Sequence, residues 1–210
     1  MWLFVPTGPF RKRTDRPKIG LAFKVFQPKE FRSAAFGYFG HMWELYTFWA
    51  FVPVIIKTFA EKNVVQLNIP LLSFIVIAAG ALACISSGYI SSKIGAKRTA
   101  FIALMCSCIC CVLSVFSFSL PVALFIAYLI FWGWMVIADS PMFSTLVAQN
   151  APSEVKGTAL TIVTCIGFFI TIVSIQALDY LGQNIKEEWL YIFLAPGPLL
   201  GLSAMMRKQK

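Results

Sequence analysis

Three ionisable side chains lie inside apolar sequence. His41 and Glu44 stand in "GHMWELY" (40–46), within an apolar run from about Ser33 to Ile56, and Asp139 stands in "IADSPMFS" (137–144). On a helix, Gly37, His41, Glu44 and Phe48 recur at spacings of four and three, so they share one face. Glu44 falls about ten residues into its run, or about 15 Å along a helix axis. An unpaired carboxylate at that depth in hydrocarbon costs several kcal/mol, so Glu44 must face a protein interior or a water-filled cavity. Two readings are open. Either His41 and Glu44 line a path, with Glu44 taking a proton or a cationic group and Trp43 beside it touching a solute, or the two satisfy each other as an internal pair that fixes packing.

Asp139 is followed by Pro141, which lacks a backbone donor and strains the preceding turn, so the helix is expected to kink there. Asp139 is expected near the cytoplasmic end of its helix, either at a functional helix break or reaching out to water. A small and polar stripe, Gly157, Thr161, Thr164, Gly167, Thr171 and Ser174, recurs at helical spacing. Such a face packs closely against another helix or lines a polar cavity; Thr161 and Thr164 are its candidates for a solute path.

No metal centre or cofactor is expected. His41 is the sole histidine, no H-E-x-x-H is present, and the six cysteines, "CSCICC" (106–111) among them, all fall in apolar runs without a second ligand cluster. They read as small packing residues. No enzyme is expected either, since no G-x-S-x-G or other catalytic constellation appears.

The elements that must hold these residues follow from composition. The chain has 210 residues, 59% hydrophobic and 13% charged, with mean hydropathy +0.77. Soluble domains are about half apolar and a quarter charged, so lipid is the expected solvent. A helix crosses a bilayer in about 20 apolar residues. Six such runs are present, at about 34–56, 70–92, 98–118, 121–148, 156–178 and 189–206. The expected fold is therefore an all-α integral membrane protein, a six-helix transmembrane bundle (34–206).

The net charge of +9 lies between and outside these runs, which fits membrane orientation rather than nucleic-acid binding. With both termini cytoplasmic, 15 of the 18 Lys and Arg fall on the inner side, and Lys57, Lys62 and Lys186 on the outer. This predicts a multi-pass protein of the cytoplasmic (inner) membrane with a short cytoplasmic tail (207–210). Residues 1–33 open with "MWLFVPTGPF" and continue into "RKRTDRPK". The charges follow the apolar piece, the reverse of a signal peptide. The segment reads as the end of a missing helix plus a basic cytoplasmic linker, as though the chain began partway through a larger architecture.

Three stretches carry a family resemblance: "FRSAAFGYFGHMWELYTFWAFVP" (31–53), "GYISSKIGAKRT" (88–99) and "ADSPMFSTLVAQNAPSEVKGTALT" (138–161). With the six-span layout, the chain resembles the C-terminal six-helix half of a major facilitator superfamily (MFS) transporter of bacterial type. The second stretch is similar to that family's loop motif, Gly-x-x-x-Asp-Arg-x-Gly-Arg-Arg. Gly88, Lys93, Gly95, Lys97 and Arg98 match in type, while Ser92 stands where the motif has Asp and removes the charge that would latch a closed state. Independently of the motif, Gly88 and Gly95 would let two helix ends approach around a tight turn, with the cations at headgroup level.

The resemblance implies two three-helix inverted repeats within the half, and a secondary active transporter, or its C-terminal half, moving a small solute by alternating access. Proton coupling would rest on Glu44 and His41. The implied partners are the lipid bilayer, a small-molecule substrate, and an N-terminal six-helix half or a second copy of the chain. The absence of Lys and Arg within the runs argues against a strongly anionic substrate held by this half alone. The alternatives are a truncated, non-transporting membrane protein and a six-helix homodimer.

Overall fold

The computed structural model describes residues 25–206, and these are helical with no strand among them. The piece 1–24 and the tail 207–210, read above as a helix end with its linker and as a cytoplasmic tail, lie outside the described residues.

The first helix, α1 (Lys29–Lys62), starts earlier and ends later than its apolar run. Glu30 in its first turn and Lys62 in its last suit the helix dipole and allow the extra turns. The next, α2 (Ile69–Ile94), opens with Asn68 Oδ1 accepting from the Leu71 N–H at 3.1 Å and with Pro70 in the first turn. A single residue, Gly95, then joins α2 to α3 (Ala96–Ser117). Its φ of +88° and ψ of 149° lie in a region open essentially to glycine alone.

The run from Pro121 divides into α4 (Val122–Ala138) and α5 (Ser140–Asn150), with Asp139 at the break and Pro141 in the first turn of α5. A long helix, α6 (Lys156–Gly182), follows. The last run is not one continuous α-helix: α7 (Glu187–Leu190) passes through the 3-10 segment Tyr191–Leu194 into α8 (Pro196–Met206). Pro196 and Pro198 supply no N–H to the turn before them, which tightens to the Ala195 N–H to Ile192 carbonyl bond at 3.0 Å.

Among the described residues, five stretches are long and apolar enough to cross a membrane: Ile69–Ile94, Ala96–Ser117, Val122–Asn150, Lys156–Gly182 and Glu187–Met206. Large apolar side chains such as Phe74, Ile85, Phe116 and Phe169 stand on their outer faces. In water so much exposed apolar surface would drive association, whereas in lipid it is ordinary. By contrast α1 carries His41, Glu44 and several Trp and Tyr, which lower its mean hydropathy. Its buried residues run from Phe31 to Phe59, and it packs most extensively on α8, then on α6 and α5. The α1–α8 crossing depends on glycine: a Cβ on Gly40 would strike the Gly197 carbonyl and approach the Gly201 Cα to 3.1 Å.

Candidate functional site

Helix periodicity puts His41 and Glu44 on neighbouring positions of one face, but in the bundle they serve different partners. Glu44 has no exposed surface and points at α3 and α4. Its Oε1 accepts from Trp132 Nε1 at 2.8 Å and from Cys111 Sγ at 3.2 Å, and its Oε2 accepts from Ser107 Oγ at 2.6 Å. Ser107 and Cys111 lie four apart and therefore one above the other on α3. Trp132 is fully buried, its ring tilted at 42° against Phe48 with 4.5 Å between centroids, and its indole N–H finds its acceptor in the carboxylate. All of these donors are neutral side chains.

His41 turns instead toward the α4–α5 break. Its Nδ1 lies 2.9 Å from Asp139 Oδ1, with both side chains essentially buried. The ring N–H does not aim along that line, so this is a close polar contact without hydrogen-bond geometry. The remaining atoms, His41 Nε2 and Asp139 Oδ2, meet no hydrogen-bond partner among the described residues. The ring sits between Tyr38 and Phe143, at centroid separations of 6.2 and 5.9 Å. Two expectations are corrected here. His41 and Glu44 do not form a mutual pair, because each has a partner on another helix. Asp139 does not reach water, because the broken helix turns it inward onto α1.

The other candidates scatter. Trp43 faces α8, donating from Nε1 to the Phe193 carbonyl at 3.2 Å and lying against Gly197. Thr161 is exposed and its hydroxyl bonds back to the Gly157 carbonyl at 3.0 Å. Thr164 is exposed near the Tyr38 hydroxyl. The further part of the same stripe packs on α1: Gly167 against Tyr38 and Met42, Thr171 Oγ1 donating to the Met42 carbonyl at 2.9 Å, and Ser174 hydrogen-bonded to Thr47. The stripe thus closes against α1 along Gly167–Ser174 and stays open at Thr161 and Thr164.

In the α2–α3 turn, Ser92 Oγ donates to the Tyr89 carbonyl at 2.7 Å and Lys93 Nζ lies 4.3 Å above the Tyr89 ring. Lys97 and Arg98 are exposed, and Lys97 lines a shallow pocket of about 70 Å³ with Glu30, Ser33 and Asn150. Gly95 has its structural reason in its φ. Gly88 does not mark a close approach, since nothing described lies within 4 Å of where its Cβ would stand.

Sequence reasoning missed Trp132, Ser107 and Cys111 as partners of Glu44. A signal existed for Trp132, because a buried indole seeks an acceptor and a buried carboxylate seeks donors. Pairing α4 with α1 in register, however, is a tertiary fact. Among the described residues no three of His, Cys, Asp and Glu gather as metal ligands.

Two polar sites are buried between long apolar helices, one of them at Asp139, where the Val122–Asn150 run is interrupted. No curated protein matches the chain. The family model described as Major Facilitator Superfamily matches residues 3–207, and with nearly the whole chain covered, this multi-pass membrane protein, embedded in lipid and built to meet a small-molecule substrate, belongs to that superfamily of transporters.

Proposed function

We propose that the chain is a six-span bundle, with α1 as its first span, of a secondary active transporter in the cytoplasmic membrane. The bundle is a C-terminal half, made of two inverted three-helix repeats, with both ends cytoplasmic. It moves a small solute by rocking against a second bundle, either an N-terminal six-helix half or a second copy of itself. The observation that carries this reading is the family match across residues 3–207. The burial of α1 supports it, since a helix holding a histidine and a glutamate crosses lipid only when other helices enclose them. Transport is coupled to protons, with the proton held at one of the two buried polar sites, Glu44 or the His41–Asp139 contact. Among the described residues no Lys or Arg is buried in the bundle, which argues against a strongly anionic solute held by this half alone.

The test is uptake of a labelled panel of sugars, amino acids and organic acids by cells producing the chain, with membranes from the same cells assayed for solute-driven proton movement by an enclosed pH dye. Uptake of one class above the vector control supports the reading. No uptake of any class, together with no solute-induced shift in thermal stability of the purified protein, overturns it.

A further inference from the structure

We infer that the proton is held by the His41–Asp139 pair, and that Glu44 is a fixed hydrogen-bond acceptor which exchanges none. The inference rests on the transporter reading above and narrows it to one site. Both oxygens of Glu44 are taken by donors, and Trp132 has no second acceptor to turn to. A proton on Oε1 would displace a buried bond from Trp132 or Cys111, and one on Oε2 would reverse the Ser107 bond and leave that hydroxyl only the long 3.4 Å contact to the Leu104 carbonyl. The His41–Asp139 pair differs on both counts. It has one close contact with poor hydrogen-bond alignment, and two further heteroatoms, His41 Nε2 and Asp139 Oδ2, unpartnered among the described residues.

The charge balance follows. With one shared proton the pair is net neutral, either as imidazolium and carboxylate or as imidazole and carboxylic acid. Loss of that proton to water leaves one buried negative charge, which is costly unless water or a cationic solute has entered. The site therefore keeps its proton while enclosed and releases it when opened.

Among the described residues no Lys or Arg is buried beside the pair, and those of α1, Lys29, Arg32, Lys57 and Lys62, are exposed. His41's own helix brings Tyr38 and Glu44, and α2 brings Cys84. On α3, Cys111 is bonded to Glu44 rather than to the pair, and Lys97 and Arg98 are exposed at the helix start. On α4, the Tyr128 hydroxyl is engaged elsewhere, donating to the Cys110 carbonyl at 2.6 Å. The ionisable groups of α6, namely Lys156, Cys165, Asp179 and Tyr180, are all exposed, and α5 and α8 contain none besides. The contact also bridges α1 to the helix break, where Pro141 withholds a backbone donor, so a change in the pair's charge acts directly on the joint between α4 and α5.

The experiment is pH-difference infrared spectroscopy of the full chain in lipid nanodiscs, comparing wild type with Asp139→Asn, His41→Gln and Glu44→Gln, each checked for helix content by circular dichroism. The expected result is a titrating carboxyl C=O band that is lost in D139N, displaced in H41Q and unchanged in E44Q. Should D139N fail to fold, Asp139→Glu replaces it and must move the band. A band that survives D139N or vanishes in E44Q overturns the inference. So does solute-driven proton movement that persists undiminished in D139N, an outcome that leaves the transporter reading standing. A band assigned to Asp139 in a protein that moves no solute upholds the proton site and counts against transport alone.

Discussion

The indole N–H of Trp132 on α4 donates to Glu44 on α1 across 2.8 Å, with neither side chain exposed. This bond ties the central helix to the run that breaks at Asp139, and it makes Glu44 an acceptor for three donors from two helices.

Removing that acceptor leaves Trp132 and Cys111 unsatisfied in a buried interior, and Ser107 with only its 3.4 Å contact to the Leu104 carbonyl. Glu44→Ala is expected to destabilise the bundle by about 3 kcal/mol, and Glu44→Gln by less, because the amide keeps one acceptor oxygen. Trp132→Phe, which deletes one donor and keeps the ring's bulk, should cost about 1–2 kcal/mol. Melting curves in detergent, followed by tryptophan fluorescence for the Glu44 variants and by circular dichroism for all, give the order. Equal losses for Gln and Ala would show that the hydrogen bonds do not hold this site together.

Gly40 and Gly88 make opposite predictions from the same substitution. A methyl on Gly40 drives into the Gly197 backbone, which no rotamer can relieve, so Gly40→Ala should cost about 1–3 kcal/mol by overpacking. The Cβ position of Gly88 is open, so Gly88→Ala should be neutral or gain up to about 1 kcal/mol from helix propensity. Paired melting temperatures check this, and a Gly88→Ala loss as large as that of Gly40→Ala would contradict the packing described.

Gly95 turns the chain between α2 and α3 at φ +88° and ψ 149°. This is not the left-handed helical well that asparagine tolerates. Gly95→Ala and Gly95→Asn are both expected to cost about 1–3 kcal/mol, with no rescue by Asn. Membrane-inserted yield and thermal stability should fall together, and wild-type behaviour of the Asn variant would place the turn elsewhere.

The charge asymmetry predicts sidedness. Green fluorescent protein fused after Lys210 should fluoresce, and alkaline phosphatase fused at Lys186 should be active, because the first folds in the cytoplasm and the second needs the far side. At the same end of the bundle as Lys186, Lys62 Nζ meets Glu188 Oε1 at 2.7 Å, partly exposed. Lys62→Ala is expected to cost less than about 1 kcal/mol, and the effect should fade in high salt. An inverted pair of fusion signals would reverse the proposed orientation.

Much of this protein is legible without coordinates, because lipid simplifies the problem. A backbone with no water to bond to must become helix where the sequence is apolar for about 20 residues, so composition and run length alone announce an all-helical membrane protein, and Pro141 announces a disturbance in its fourth run. Gly95 is equally readable: a glycine between two apolar runs, followed by basic residues, marks a tight turn. The interruption is a single residue, Asp139, which keeps a helical φ of −86° and ψ of −18°, and the proline could not tell that Asp139 there meets His41.

What the sequence by itself determined was the inventory of the site: a histidine and two carboxylates that lipid cannot solvate and that must therefore find partners inside. What only the tertiary structure decided was the pairing. Helical spacing places His41 and Glu44 on one face and cannot say which neighbouring helix each meets. That choice belongs to the packing of α1 against α8, α6 and α5, set by glycine contacts and side-chain volumes far apart in the chain. The rotation of α1 in that packing sends Glu44 to Trp132 and His41 to Asp139, and turns what reads as one ionisable pair into two sites with different chemistry.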